Sequence, residues 1–267
     1  MTQKASLWID RLARFGYAAK GIVYGIVGLL ALQAAMGTGG KTTDTQGALE
    51  TIVTQPFGKF LLSLVAIGLL SYAVWRFVEA LKDPENKGTD AKGLASRVGS
   101  AVSGLIYTGL ALSAVKIVLG SRSAGGDNST ADSTARLMAQ PFGQWLVGTV
   151  GAFILGMGLY HFYRAYSAKF RKDLKLSQMS NTQETWAVRL GRFGLAARGV
   201  VLGITGIFLI QAARQSNPNE ARGLGGALDT LAQQPYGPWL LGIVALGLIA
   251  YGTYMGVQAR FRRIVTG

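Results

Sequence analysis

The chain has no cysteine, so disulfides and thiolate ligands are unavailable and cysteine usage says nothing about its redox compartment. A single histidine removes every multi-histidine metal cluster. Acidic residues are scarce: 13 Asp and Glu stand against 27 Lys and Arg in 267 residues, and charged residues are only 15%. None of those carboxylates falls in the middle of an apolar run, which argues against a proton- or sodium-coupled carrier. The patterns G-x-x-x-x-G-K-[ST], H-E-x-x-H and G-x-S-x-G are missing as well, so ATPase, zinc-protease and serine-hydrolase chemistry lack their residues. With no nucleophile–base or acid–base pair to name, the expectation is a non-enzymatic protein without cofactor or metal.

What the chain does have is apolar length. Hydrophobic residues make up 49%, and they gather in runs near 18–36, 60–81, 98–119, 145–166, 195–213 and 239–259. Runs of roughly 18–22 residues are about 27–33 Å long as helices, the thickness of a hydrocarbon core. A soluble bundle of six such helices would leave too little polar surface to cover them. The expected fold class is therefore all-α integral membrane, with six transmembrane helices. The first run is full length and reappears in later copies, so it belongs to the fold and not to a cleaved signal.

Those helices come in pairs. Gln55-Pro56-Phe57-Gly58 returns as Gln140-Pro141-Phe142-Gly143 and, varied, as Gln234-Pro235-Tyr236-Gly237. Some forty residues before each copy stands a second marker: Arg14-Phe15-Gly16 with Gly21, Arg97-Val98-Gly99 with Gly104, and Arg192-Phe193-Gly194 with Gly199. A fixed internal period decides architecture. It divides one membrane domain into three tandem two-helix repeats, at 1–81, 82–166 and 167–267. Each repeat spans twice and so begins on the same side. The copies are then related by an axis along the membrane normal, which predicts a pseudo-threefold ring, with a less regular six-helix bundle as the alternative.

Orientation follows from the basic residues. The side holding both termini and the links between repeats carries 20 Lys and Arg, among them Lys20, Arg76, Lys87, Arg164 and Arg198. The other side carries seven: Lys41, Lys59, Lys116, Arg122, Arg136, Arg214 and Arg222. Acidic residues, Glu85 and Glu79 included, divide almost evenly. The positive-inside rule puts both termini in the cytoplasm of a bacterial cell, with the chain in the inner (plasma) membrane. Anionic headgroups on that side are the expected lipid partners, and they account for the charge of +14 without nucleic acid.

Within a repeat, Trp8, Leu12 and Phe15 interleave with Arg11 and Arg14, as Trp186, Leu190 and Phe193 do with Arg189 and Arg192. Such a stripe suits either a helix lying at the interface or an extension of the following span. Gly21-x-x-x-Gly25 and Gly199-x-x-x-Gly203 line helix faces, with Gly104 retained in the middle copy. Such faces serve packing within the chain or, alternatively, a homodimer. Short amphipathic stretches lead to each Gln-Pro-aromatic-Gly turn, whose proline suits the first turn of the next helix. The glutamine could cap backbone or hold a ligand, and its presence in all three copies favours structure.

Symmetry breaking points to function. Aligned on the tetrapeptides, Arg76, His161 and Met255 share one position, and Glu79, Arg164 and Gln258 another. Arg76 and Glu79, three apart, can pair on one helix face. Arg164 can snorkel to headgroups, and His161 is a candidate proton-sensitive group.

With these motifs in hand, the chain resembles the bacterial family DUF1206, on Arg14, Gly16, Gly21, Arg192, Gly194, Gly199 and the three tetrapeptides, over nearly all of 8–261. The middle copy departs at Val98, Ser100 and Ser103. The resemblance implies repeated two-span units and supplies no activity. Two functions are expected: a membrane scaffold or accessory subunit with a membrane-protein partner or a second copy, or else a small channel or carrier. The second would use Ser63, Ser71, Ser103, Thr108 and Thr205 near the axis.

Overall fold

A computed structural model describes residues 3–84, 88–121 and 127–263; Glu85, Lys87 and Arg122, counted above, lie outside them. Among the described residues nine α-helices follow one another: α1 (Gln3–Ala35), α2 (Thr45–Val53), α3 (Gly58–Lys82), α4 (Ala91–Val118), α5 (Asp127–Met138), α6 (Gly143–Ser167), α7 (Asn181–Gln215), α8 (Leu224–Ala232) and α9 (Gly237–Phe261). Six of them are long and apolar enough to cross a membrane, and the chain is an all-helical multi-pass membrane protein. The short α2, α5 and α8 are the amphipathic stretches between the members of each pair.

Local chemistry explains where the helices begin. Asp44 and Asp90 accept hydrogen bonds from the first free backbone N–H groups of α2 and α4, and Ser180 with Gln183 forms a capping box on α7. The second helix of every pair starts differently. In each tetrapeptide the Gln carbonyl accepts from the Gly N–H, at 2.8, 2.9 and 2.7 Å, and the aromatic residue sits at φ 58, 60 and 61°. Proline in second place and positive φ in third are the marks of a type II turn. The proline thus stands in the turn, ahead of the helix, and not in the helix's first turn as its usual preference suggested. Gly58, Gly143 and Gly237 open the helices because a Cβ there would lie 2.4, 2.2 and 1.8 Å from a carbonyl of the preceding helix. A left-handed aromatic costs on the order of 1 kcal/mol. Phe57, Phe142 and Tyr236 are among the most exposed large hydrophobic residues, a placement that suits aromatic anchors at a membrane interface.

The Trp8 and Trp186 segments are not separate helices. They continue α1 and α7, which run 33 and 35 residues, about 50 Å, and so project beyond a hydrocarbon core.

Packing between repeats is cyclic. α3 lies against α4, α6 against α7, and α9 returns to α1, so each repeat's second helix meets the next repeat's first. Within a repeat α1 packs on α3 and α7 on α9, whereas α4 and α6 scarcely touch. The ring is therefore pseudo-threefold and interrupted at one side. The cause lies in three aligned positions. A Cβ on Gly16 would sit 2.6 Å from the Tyr72 backbone, and one on Gly194 2.5 Å from that of Tyr251; one on the equivalent Gly99 would meet nothing within 4 Å among the described residues. Gly68 and Gly247 admit the methyls of Ala19 and Ala197 at distances no added Cβ could share. The middle repeat has Phe153 and Val102 at these two places. Helix pairs in lipid depend on close backbone approach, and a Phe–Val pair forbids it.

Candidate functional site

At the basic end of the ring the marker arginines do one job three times. Arg97 donates to the carbonyls of Ala80 and Leu81 at the end of α3, and Arg192 to that of Tyr166 at the end of α6. Arg14 donates to Ala259, Arg260 and Arg262 at the end of α9. The last carbonyls of a helix lack partners and carry partial negative charge, so a guanidinium from the neighbouring repeat both satisfies and neutralises them. Arg14 is itself held by Asp10, at 2.7 Å.

Just inside this rim lies a buried ion cluster. Glu79 on α3 pairs with Arg76 on its own helix and with Arg262, just past α9, at 3.0 Å. Ser100 of α4 donates to Glu79 at 3.4 Å, and Gln258 accepts from Arg262 at 3.3 Å. One carboxylate between two guanidiniums thus ties α3, α4 and the end of α9 together. Arg262 also lies over the Tyr17 ring, 4.9 Å from its centroid. In the middle repeat the corresponding Arg164 pairs instead with Asp173, in the link to α7, at 2.8 Å. That link closes over the same end, with Phe170 and Leu174 buried and Lys175 and Arg263 joined to the opposite strand of backbone.

Deeper in the ring is a second cationic cluster. Lys20, six residues and about 9 Å along α1 from Arg14, is only 3% exposed. It donates to the Tyr72 hydroxyl at 2.9 Å and lies 4.6, 4.9 and 5.6 Å from the ring centroids of Tyr72, Tyr107 and Tyr251. Arg198 on α7 repeats the arrangement: it donates to the Tyr251 hydroxyl and lies 5.2 and 4.9 Å from the rings of Tyr24 and Tyr251. The aromatic rings touch edge to face, Tyr24 on Tyr251 and Tyr72 on both Tyr17 and Tyr107. Each cation–ring contact contributes roughly 0.5–2 kcal/mol, well short of the several kcal/mol that a buried, unpaired ion costs. Among the described residues no carboxylate lies within ion-pair distance of Lys20 or Arg198.

Lys20 and Arg198 occupy one repeat position, Tyr72 and Tyr251 another; the middle copy has Ser103 and Met157 there. His161, next to the middle copy's site, keeps Nδ1 2.8 Å from the carbonyl of Met157 and is within electrostatic reach of Arg198 and Lys20.

The sequence candidates thus fall into three places. The tetrapeptide residues form turns at the far end; of their glutamine side chains, Gln234 donates to the Thr230 carbonyl at 3.3 Å. The glycines lie at helix crossings. A Cβ on Gly252 would meet the backbones of Gly21 and Gly25, one on Gly158 those of Gly199 and Gly203, and Gly104 faces the Phe77 ring. Arg76, Glu79, His161 and Arg164 line the basic half. Charge counting places Lys20 and Arg198 on the basic side, and repeat alignment puts Ser103 at their position in the middle copy, but neither shows that they are buried against tyrosines. Their signal was available: a cation and a tyrosine appear together in copies one and three and vanish together in copy two.

Family comparison agrees with this geometry. The family described as Domain of Unknown Function (DUF1206) matches residues 15–83, 98–168 and 193–262. The chain belongs to the DUF1206 family. Each DUF1206 match begins directly after a capping arginine and ends at the residue that closes the pair's second helix. Over 254 residues the chain is 39% identical to "Uncharacterized protein YxxB" of Bacillus subtilis (strain 168), covering 94% of this chain and 90% of that one. No solved structure matches this DUF1206 chain.

Proposed function

We propose that the protein is a non-enzymatic accessory component of the bilayer, a scaffold that holds another membrane component in its interrupted ring. The observation that carries this reading is the unequal packing of the helices. α1, α3, α7 and α9 each pack against two neighbours of the ring, while α4 is buried along one stripe against α3 and α6 along one against α7. A cyclic fold that leaves one helix pair apart has room for a component that the chain does not supply. The basic rim supports the expected orientation, with termini on the anionic-lipid side.

The test is extraction of the full chain from its native membrane in mild detergent, followed by native mass analysis. A retained protein or lipid companion is the expected result, and a solitary, lipid-free monomer would overturn the reading.

A channel or carrier near the ring axis is the second reading, favoured by Lys20 and Arg198, whose charge would select anions. Against it, the hydroxyls of Ser63, Ser71, Ser103 and Thr108 each donate to the carbonyl four residues earlier in their own helix. They are spent on backbone and offer a solute little. Flux into liposomes, with Ser103→Leu as the comparison, separates the two readings; anion flux lost in that variant would favour transport.

A further inference from the structure

We infer that Lys20, Arg198, Tyr72 and Tyr251 form a binding site for an oxyanion, a phosphate or carboxylate group, carried by an amphiphile whose apolar tail leaves between α4 and α6. This rests on the reading of the ring as a holder of another component, and names the component's chemistry.

The donors gathered here are unmatched. Among the described residues Arg198 Nε, sealed from solvent, has no hydrogen-bond partner. Lys20 makes one hydrogen bond, to Tyr72, leaving the rest of its ammonium protons facing rings. Tyr72 and Tyr251 each accept a hydrogen bond from a cation, and among the described residues neither hydroxyl donates one. Two cations and two hydroxyls thus converge on an interior where, among the described residues, no carboxylate lies within ion-pair distance. Both side chains, moreover, lie close to the centre of the one Tyr251 ring, at 5.6 and 4.9 Å, so two basic groups gather in a low-dielectric interior where an anion would be strongly favoured.

The neighbouring ion cluster is different. Arg76 and Arg262 are also buried cations, but the chain supplies them with Glu79. Among the described residues no carboxylate is paired with Lys20 or Arg198. An oxyanion accepts several charge-assisted hydrogen bonds at once, which a neutral or zwitterionic group does less well. The open side of the ring lies where such a molecule could reach the site from the bilayer. Val102 on α4 and Phe153 on α6 stand where the outer repeats have small residues, and the Tyr107 ring on α4 lies 4.9 Å from the Lys20 ammonium.

The experiment uses the purified full chain in neutral detergent micelles. Heat resistance is measured with an anionic phospholipid bearing a phosphate monoester, with a zwitterionic phospholipid of the same acyl chains, and with inorganic phosphate. The anionic lipid is expected to protect at least about tenfold more tightly than the zwitterionic one, since charge-assisted bonds are lost with the latter. Lys20→Gln and Arg198→Gln should each weaken that binding by about tenfold or more, whereas Arg260→Gln, a cation on the basic surface, should change it less than about twofold. Where a glutamine variant fails to fold, Tyr251→Phe and the unaltered protein's own lipid preference still decide. Phosphate protecting as well as the lipid would uphold the oxyanion site and assign a soluble source. Equal protection by the zwitterionic lipid, or by none of the three, would overturn it. Retention of some neutral or protein companion with no anion preference would defeat this inference while leaving the accessory reading standing.

Discussion

The first and third repeats are built alike, and the middle one is built differently at the same positions. In the outer copies a glycine and an alanine let the two helices meet backbone to backbone, and a cation on one reaches a tyrosine on the other. In the middle copy Val102 and Phe153 replace the small residues while Ser103 and Met157 replace the cation and its acceptor. The difference teaches that the symmetric parts of this protein, turns and arginine caps, hold the ring together. Its interior cation–tyrosine chemistry belongs to the two outer repeats and is missing from the middle one, where symmetry fails.

Four perturbations test that contrast. The largest effect is expected at Glu79. Glu79→Ala strands the cations of Arg76 and Arg262 in a buried place and should lower stability by about 3–5 kcal/mol. Asp173→Asn, which removes the half-exposed partner of Arg164 in the middle repeat, should cost less than about 1 kcal/mol. Thermal inactivation of the two variants in the same detergent compares them; equal losses would refute the view that only the first is a buried cluster.

Next come the helix crossings. Gly194→Leu and Gly247→Phe push side chains into Tyr251 backbone and Ala197, and each should destabilise by about 3 kcal/mol or prevent folding. Gly99→Leu meets open space and should stay within about 0.5 kcal/mol. Folded yield after extraction is the readout, and a Gly99→Leu variant as damaged as the other two would show that α4 and α6 do meet.

The arginine caps should matter less, and alike. Arg14→Ala removes carbonyl partners of α9 for a loss of about 1 kcal/mol, with smaller losses for the more exposed Arg192. The cap reading requires that hydrogen exchange rise at the last turn of α9 for Arg14→Ala and of α6 for Arg192→Ala. Fraying elsewhere would count against it. A change of under about 1 kcal/mol is expected for Val102→Ala combined with Phe153→Gly, which should draw α4 toward α6. The chain has no cysteine of its own, so introduced cysteines can carry spin labels on these two helices. A label separation that fails to shorten would mean that something other than those two side chains keeps the opening.

Much of the fold was legible in residues alone. Apolar runs of bilayer length identified the spans, and the tetrapeptides set the period, because these are local signals that need no knowledge of neighbours. The turns were legible as motifs, but not their conformation: the aromatic at positive φ departs from the glycine that such a place prefers. The ion cluster was half legible. Arg76 and Glu79, three apart on a helix, are a local pair, whereas Arg262 joins them from 183 residues away.

A chain with this hydropathy and this repetition is bound to form three membrane hairpins, since lipid forces every backbone polar group into helices whatever the packing around them. Which hairpin sides meet is another matter. That depends on whether a glycine on one helix finds a small residue across from it, and on which cations are left facing inward once the crossings are made. Those are relations between residues far apart in the chain, so the interrupted ring and the unmatched Lys20 and Arg198 could emerge only when the helices were assembled.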